Sequence, residues 1–322
     1  MGEFARCAAI ASAALERWPE ALVHFLLSRH APYIARVPFP VTLLPSSATF
    51  HPAAVIEVMR TWRPDIVIFD NAGRSAQLEA AHQLGARIVF ISARARQRRR
   101  AFRLAWMRLI DEHWIAYPKL IAGELGLVER AKLKLLHRPV VRYLDVIMAR
   151  PAASALRSDV VVIPGGGTGH PHAQDAARQF LTAARNLAMA GFATTFVGST
   201  QESLPRLACI AALPQGDLAA LMRGARLVIA NGGSTLLQAI ACGAAVVAAP
   251  IAGDQRERIR ACAALRVAVE AAPHAGDLKA KAQKLLEDEP ARAALSARAA
   301  ALELADGIDI ALDALASLGR RA

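Results

Sequence analysis

Cysteine is scarce in this 322-residue chain: there are four (Cys7, Cys209, Cys242 and Cys262), and no two form a C-x-x-C pair. That excludes a disulfide framework and a zinc-finger spacing, and it fits a reduced, cytoplasmic protein. Lysine supplies only 6 of the 39 basic residues, a bias of base composition rather than of chemistry. No stretch reads as a membrane span. The charge-free run 227–253 is long enough on paper, but Asn231, Gly232, Gly233, Ser234, Thr235, Gln238, Gly243 and Pro250 break it into a β-rich run, a turn, a helix and a second β-rich run. No export is expected from the sequence start. The apolar stretch 7–15 continues into Glu16 and Arg17 and then a β-like run, which describes a first helix. Internal repeats and low-complexity tracts are absent.

What remains, 54% hydrophobic and 20% charged, is too apolar for disorder and long enough for two domains of about 150 residues each. Apolar β-rich runs alternate with helical patterns, the signature of parallel sheets with crossover helices. Strands are expected at 21–27, 41–44, 65–70, 87–92 and 113–117, and then at 159–163, 193–197, 207–212, 227–230, 244–249 and 267–269. Helices are read between them, including 51–61, 75–84, 175–190 and 234–241, with a helical tail from Asp277. The alternation lapses around 145–158. This places a boundary between domains 1–150 and 151–322, both doubly wound, with strand C-termini facing a cleft. The formal charge of +12 is divided unevenly, with 22 Lys and Arg against 12 Asp and Glu in residues 1–150 and 17 against 15 afterwards. The first domain therefore faces an anionic partner of some kind.

Three loops that follow expected strands carry the chemistry. Gly165-Gly166-Gly167-Thr168-Gly169-His170 lets the backbone approach an anion closely and opens a helix whose dipole favours negative charge. It is neither a Walker A loop nor a G-x-G-x-x-G fingerprint, because no Lys-Ser/Thr follows and no suitably placed acid accompanies it. Asn231-Gly232-Gly233-Ser234-Thr235 is a second helix start of the same kind, where Ser234 or Thr235 serves either as anion ligand or as N-cap. In the third loop, Asp254 and Gln255 begin a helix after Pro250; they either bond sugar hydroxyls or cap that helix.

Together these loops resemble the C-terminal half of GT-B glycosyltransferases, especially the group of the peptidoglycan N-acetylglucosaminyltransferase and the UDP-sugar hydrolase of pseudaminic acid synthesis. The run from Ala225 to Thr235, with Gly243, Pro250, Asp254 and Gln255, looks like that group's donor-site segment. The resemblance implies that the 165–170 loop and the Gly232–Thr235 helix start hold the pyrophosphate of a nucleotide sugar. It also implies that the backbone near Leu213 and Gln215 meets the base, and that Asp254 and Gln255 meet the sugar. Where the family usually has a glutamate for the ribose hydroxyls, this chain has Gln238, which lacks the charge-assisted grip. His170 would assist the leaving phosphate or orient the donor. In the first half, Gly2-Glu3-Phe4-Ala5-Arg6-Cys7 looks like the family's Gly-His-x-x-Arg-Cys helix start, and Glu3 stands in place of the histidine that serves relatives as general base. The strand and glycine loop that the family places before that helix are not in the sequence, so either the start lies downstream of the natural one or a central strand has been removed.

The stretch Arg94, Arg96, Arg98, Arg99, Arg100, Arg103 and Arg108 interleaves with Phe102, Trp106, Leu109 and Ile110, which share a helical face. Three readings stay open. The arginines meet an anionic membrane surface or lipid-linked acceptor while the aromatics enter the interface; they are solvated above a packed helix; or they bind nucleic acid, for which no motif is present. Taken together, the resemblance implies an inverting transferase that needs neither metal nor cofactor, in keeping with the lack of any Asp-x-Asp pair. It would move a sugar from an NDP-sugar, UDP-linked for preference, to a hydroxyl acceptor in the cytoplasm or on the inner face of the membrane. A nucleotide-sugar hydrolase and a non-catalytic sugar-nucleotide-binding subunit are the alternatives.

Overall fold

The computed structural model describes residues 2–31, 33–149, 158–165, 173–200, 202 and 204–319. The chain divides into two compact units, one formed by Glu3–Ile147 with Ala305–Ala322 and the other by Met148–Leu304 with Met1–Gly2. The last helix, Gly307–Gly319, thus belongs to the N-terminal unit and not, as a division at 150 implies, to the C-terminal one. Gly307 is what permits this. A Cβ on it would lie 1.9 Å from the Leu144 carbonyl oxygen, and its N–H donates to Val146 O at 3.0 Å, so only glycine lets the helix start sit against that turn.

In the N-terminal unit, β1 (Phe25–Ser28) and β2 (Val41–Leu44) form a parallel pair. A second parallel sheet has the order β3 (Ile66–Asp70), β4 (Arg87–Ser92), β5 (Glu112–Ile115), β6 (Val140–Tyr143). Alternation along β4 shows how the core is built. Ile88 and Phe90 point to one face, where Val55, Met59 and Leu78 from the two preceding helices and Trp106 from a later one cover them. Val89 and Ile91 point to the other, under Ile10 and Ala14 of the helix Gly2–Arg17 and Ile308 and Leu312 of the last helix. Strand β6 has no counterpart among the sequence expectations. It is four residues at the sheet edge, half-exposed, and its Val-Val-Arg-Tyr pattern carries no apolar run.

The C-terminal unit holds a six-stranded parallel sheet of β7 (Val160–Ile163), β8 (Thr194–Val197), β9 (Leu207–Ile210), β10 (Leu227–Asn231), β11 (Ala245–Ala249) and β12 (Val269–Glu270). Their spatial order is β12-β11-β10-β7-β8-β9. Strands β7, β10 and β11 are buried throughout, which is why they read as unbroken apolar runs instead of alternating ones. The chain lays down β7, moves outward to β9, then returns across β7 to place β10 on its other side. That reversal between β7 and β10 is the switch point at which open α/β sheets bind ligands. Among the described residues no helix is long and apolar enough to cross a membrane.

Candidate functional site

At the switch point the loops after β7, β10 and β11 are tied together by two buried amides. Asn231, the last residue of β10, donates from Nδ2 to Pro164 O at 2.8 Å, and its Oδ1 accepts the Gly233 N–H at 2.5 Å. Gln255 Oε1 accepts the N–H of Gly232 at 3.2 Å and of Ile251 at 2.9 Å. Arg258 completes the knot by donating to the Gly232 carbonyl oxygen. The glycines follow from this packing. A Cβ on Gly165, whose φ is +80°, would fall 2.0 Å from Asn231 Nδ2; one on Gly233 would fall 2.6 Å from Asn231 Oδ1. Asn231 and Gln255, expected among the donor contacts, are buried, and their amides bond the backbone of neighbouring loops, Asn231 to Pro164 and Gln255 to Gly232.

What this knot presents is the start of the helix Ser234–Ala241, with Gly233 as its N-cap. Leu236, Leu237, Ala239 and Ile240 are buried, while Ser234, Thr235 and Gln238 are half-buried. Ser234 and Gln238 are four residues apart and so share one face of the helix. Asp254 is exposed at the N-cap of the helix Gln255–Ala264 and makes no cap bond, so its carboxylate is not spent on the helix. Leu213 and Gln215 follow β9, two strands away from β7 on the same edge of the sheet. Gly166, Gly167, Thr168, Gly169 and His170 lie outside the described residues. No group of three or more His, Cys, Asp or Glu that could hold a metal occurs among the described residues.

In the N-terminal unit, the first turn of the helix Gly2–Arg17 meets the C-terminal end of β3. Glu3 Oε1 accepts a hydrogen bond from Asn71 Nδ2 at 3.2 Å. Asn71 sits at φ +52° just past the strand, a conformation asparagine tolerates, and its Oδ1 takes the Ala93 N–H at 2.8 Å, joining the loops after β3 and β4. One turn on from Glu3, Arg6 forks onto Asp70 with Nε–Oδ2 at 2.9 Å and Nη2–Oδ1 at 2.7 Å, both groups buried. Burial, the largest single influence, works to lower the pKa of Arg6, but the charge of Asp70 and its hydrogen bonds together raise it above the ordinary value, so the guanidinium keeps its proton. Burial, with that carboxylate beside it, pushes the Cys7 thiol well up, which removes it as a nucleophile. Asp70 and Asn71 were not legible as site residues, because only the fold brings them to Glu3.

The basic stretch does not present its aromatics to solvent. It forms two short helices, Ala95–Ala101 and Leu104–Met107, and Phe102, Trp106 and Ile110 are buried. Trp106 packs edge-on to Phe90 at 5.3 Å and Phe102 against His113 at 5.1 Å, so the interfacial role expected of Phe102 and Trp106 is ruled out by core packing. Arg98 is structural too: it pairs with Glu129 at 2.7 Å and caps the carbonyls of Ala122, Gly123 and Glu124. Arg99 and Arg103 are exposed and Arg100 half-buried. The exposed apolar face lies elsewhere, on the helix Leu127–Leu136, where Leu127, Val128 and Leu135 are 78%, 66% and 73% exposed. These three fall within one arc of about 100° on the helix, flanked by exposed Arg130 and Lys134.

No protein-family model matches the sequence, and no curated protein matches it either. Solved structures do. The spinosyn forosaminyltransferase SpnP is 14% identical, with 99% of this chain and 95% of that one covered at a TM-score of 0.69. The spinosyn rhamnosyltransferase SpnG complexed with thymidine diphosphate is 14% identical, with coverages of 99% and 97% and a TM-score of 0.64. MurG of Acinetobacter baumannii is 13% identical, with coverages of 98% and 96% and a TM-score of 0.64. At such identities it is the fold that is shared: two parallel α/β units, as in the GT-B glycosyltransferases.

Proposed function

We propose that the protein is a glycosyltransferase that moves a sugar from a nucleoside-diphosphate donor to a hydroxyl acceptor, with inversion. The observation that carries this reading is the switch point between β7 and β10, where Gly165 and Gly233 pack against Asn231 and Gly232 against Gln255 and Ile259, at the start of the helix Ser234–Ala241. Backbone N–H groups and the dipole of the helix Ser234–Ala241 would bind the diphosphate and stabilise its charge as it leaves. Asp254 would meet the hydroxyls of the sugar and Gln238, on the same helix face as Ser234, those of the ribose. Glu3 would take the acceptor's proton, held for that task by Asn71. The names of SpnP and SpnG favour this chemistry, and the thymidine diphosphate complexed with SpnG keeps the base open to test.

The basic N-terminal unit is the acceptor side of this reading. Contact with an anionic membrane surface falls to the apolar face of the helix Leu127–Leu136 and its cationic rim, in place of Phe102 and Trp106.

Calorimetric titration with UDP, GDP and dTDP, followed by assay of the best binder's sugar conjugates for nucleotide release, tests the proposal. Ser234→Asp is the decisive variant. A carboxylate in the first turn suits the helix dipole, so the fold is kept, but it repels a diphosphate. Nucleotide affinity should fall at least tenfold, and an unchanged affinity would move the donor away from this helix. Release that needs no acceptor would identify a hydrolase instead.

A further inference from the structure

The loops after β3 and β4 carry four arginines that no carboxylate answers. Arg74 donates from Nε to Thr49 O at 3.2 Å and lies over the Phe50 ring at 5.9 Å. Arg100 reaches back to the residue before it, donating from Nη1 to Gly73 O at 3.5 Å, with its guanidinium over Trp106 at 5.4 Å. Trp106 in turn donates to Ser75 Oγ at 3.0 Å, so Arg100 and Arg74 are held on one small surface. Arg96 is one turn before Arg100 on the same helix face, and Arg103 follows three residues after. None of the four makes a salt bridge among the described residues, whereas Arg98, on the same helix, is paired with Glu129. Burial and the charges of Arg74, Arg103 and Arg96 hold the Arg100 guanidinium below its ordinary range.

Like charges kept together without a counter-charge repel one another, and a bound anion is what relieves them. Arginine's planar fork suits oxygens in pairs, which phosphate groups offer. The location adds to this. Asn71, which holds Glu3, takes the Ala93 N–H between the same two loops, so the cluster shares its strand ends with the proposed base. We propose that Arg74, Arg96, Arg100 and Arg103 bind a phosphate or diphosphate group of the acceptor. This rests on the reading of the N-terminal unit as the acceptor side.

The test uses the full chain and the Arg96→Gln/Arg103→Gln variant, whose side chains are exposed and make no ion pair. Both proteins are titrated with inorganic pyrophosphate in excess UDP, and separately with UDP. Pyrophosphate affinity should be at least tenfold weaker in the variant and should decline with added salt, while UDP affinity stays equal. Equal pyrophosphate affinity in the two proteins, or none in either, overturns the site. A loss confined to the variant without any UDP binding would keep the anion site and discard the transferase. Sedimentation with phosphatidylglycerol vesicles identifies the anion's source. Pyrophosphate that strips wild-type protein from vesicles supports a lipid headgroup in the site, and pyrophosphate that binds without stripping supports a soluble phosphorylated acceptor.

Discussion

A general base must reach its proton and keep one orientation, and Glu3 is oriented by a single side-chain bond from Asn71, which is itself fixed by the Ala93 N–H. Below it the fork between Arg6 and Asp70 pins the helix start to β3, so the carboxylate stands on a braced turn. Glu3→Gln retains an oxygen for Asn71 and removes only the ability to accept a proton. Turnover should fall by roughly 10²- to 10⁴-fold with donor affinity unchanged within about twofold. Steady-state kinetics alongside nucleotide titration would show it, and an unaltered kcat would assign the proton to another group. Glu3 could be singled out from the sequence as the residue standing where the resembled family has a histidine. Its partners could not, because Asn71 is 68 residues away and a polar residue after a strand is ordinarily read as a turn former.

Elements were more legible than contacts, for a reason visible in the strands themselves. Buried parallel strands such as Leu227–Asn231 and Ala245–Ala249 are continuous apolar runs bounded by Gly or Pro, and their positions were anticipated within a few residues. The first strand was placed too early: the apolar run begins at Ala21, but pairing starts at Phe25 and Leu22 is exposed. Helical spacing left the stretch Arg94–Ile110 open between interface and packed face, and there Phe102, Trp106 and Ile110 are core. Periodicity reports that a face is apolar and says nothing of what covers it. The helix Leu127–Leu136 is the converse, since its exposed leucines recur too irregularly to stand out in sequence. Leu127→Glu/Leu135→Glu places two charges on that face at no cost to packing. Retention on phosphatidylglycerol vesicles should drop at least tenfold while nucleotide binding is kept. Unchanged retention would free this helix of any membrane role, and a shift in gel-filtration volume would mark it as a contact between copies of the chain.

The architecture of the whole molecule follows from pattern where pattern is repeated, and departs from it where one residue decides. A return of the last helix to the N-terminal unit cannot be read from its composition; it depends on Gly307 fitting against Leu144, a contact 163 positions apart in the chain. Global stability carries a comparable single-residue signature. His113, in the middle of β5, is fully buried beneath Phe102 and Phe90; its Nε2 bonds Ser92 Oγ at 2.8 Å, and its Nδ1 is without a partner among the described residues. Burial, with the Arg98 charge adding to it, pushes its pKa down to about 3 from the ordinary 6.5. The imidazole is therefore neutral in the fold but takes up a proton in the unfolded chain below pH 6.5. The unfolded state then binds more protons, and stability present above that pH is lost as pH falls from about 6.5 toward 3. The slope is about 1.4 kcal/mol per pH unit, or about 2 kcal/mol between pH 7 and pH 5. His113→Gln keeps a group able to bond Ser92 and cannot titrate. Urea unfolding of both proteins at pH 7, 6 and 5 should show the wild type losing about 2 kcal/mol more than the variant across that range. Parallel losses in the two proteins would mean that His113 is protonated in the folded state and that its burial is relieved by motion of β5.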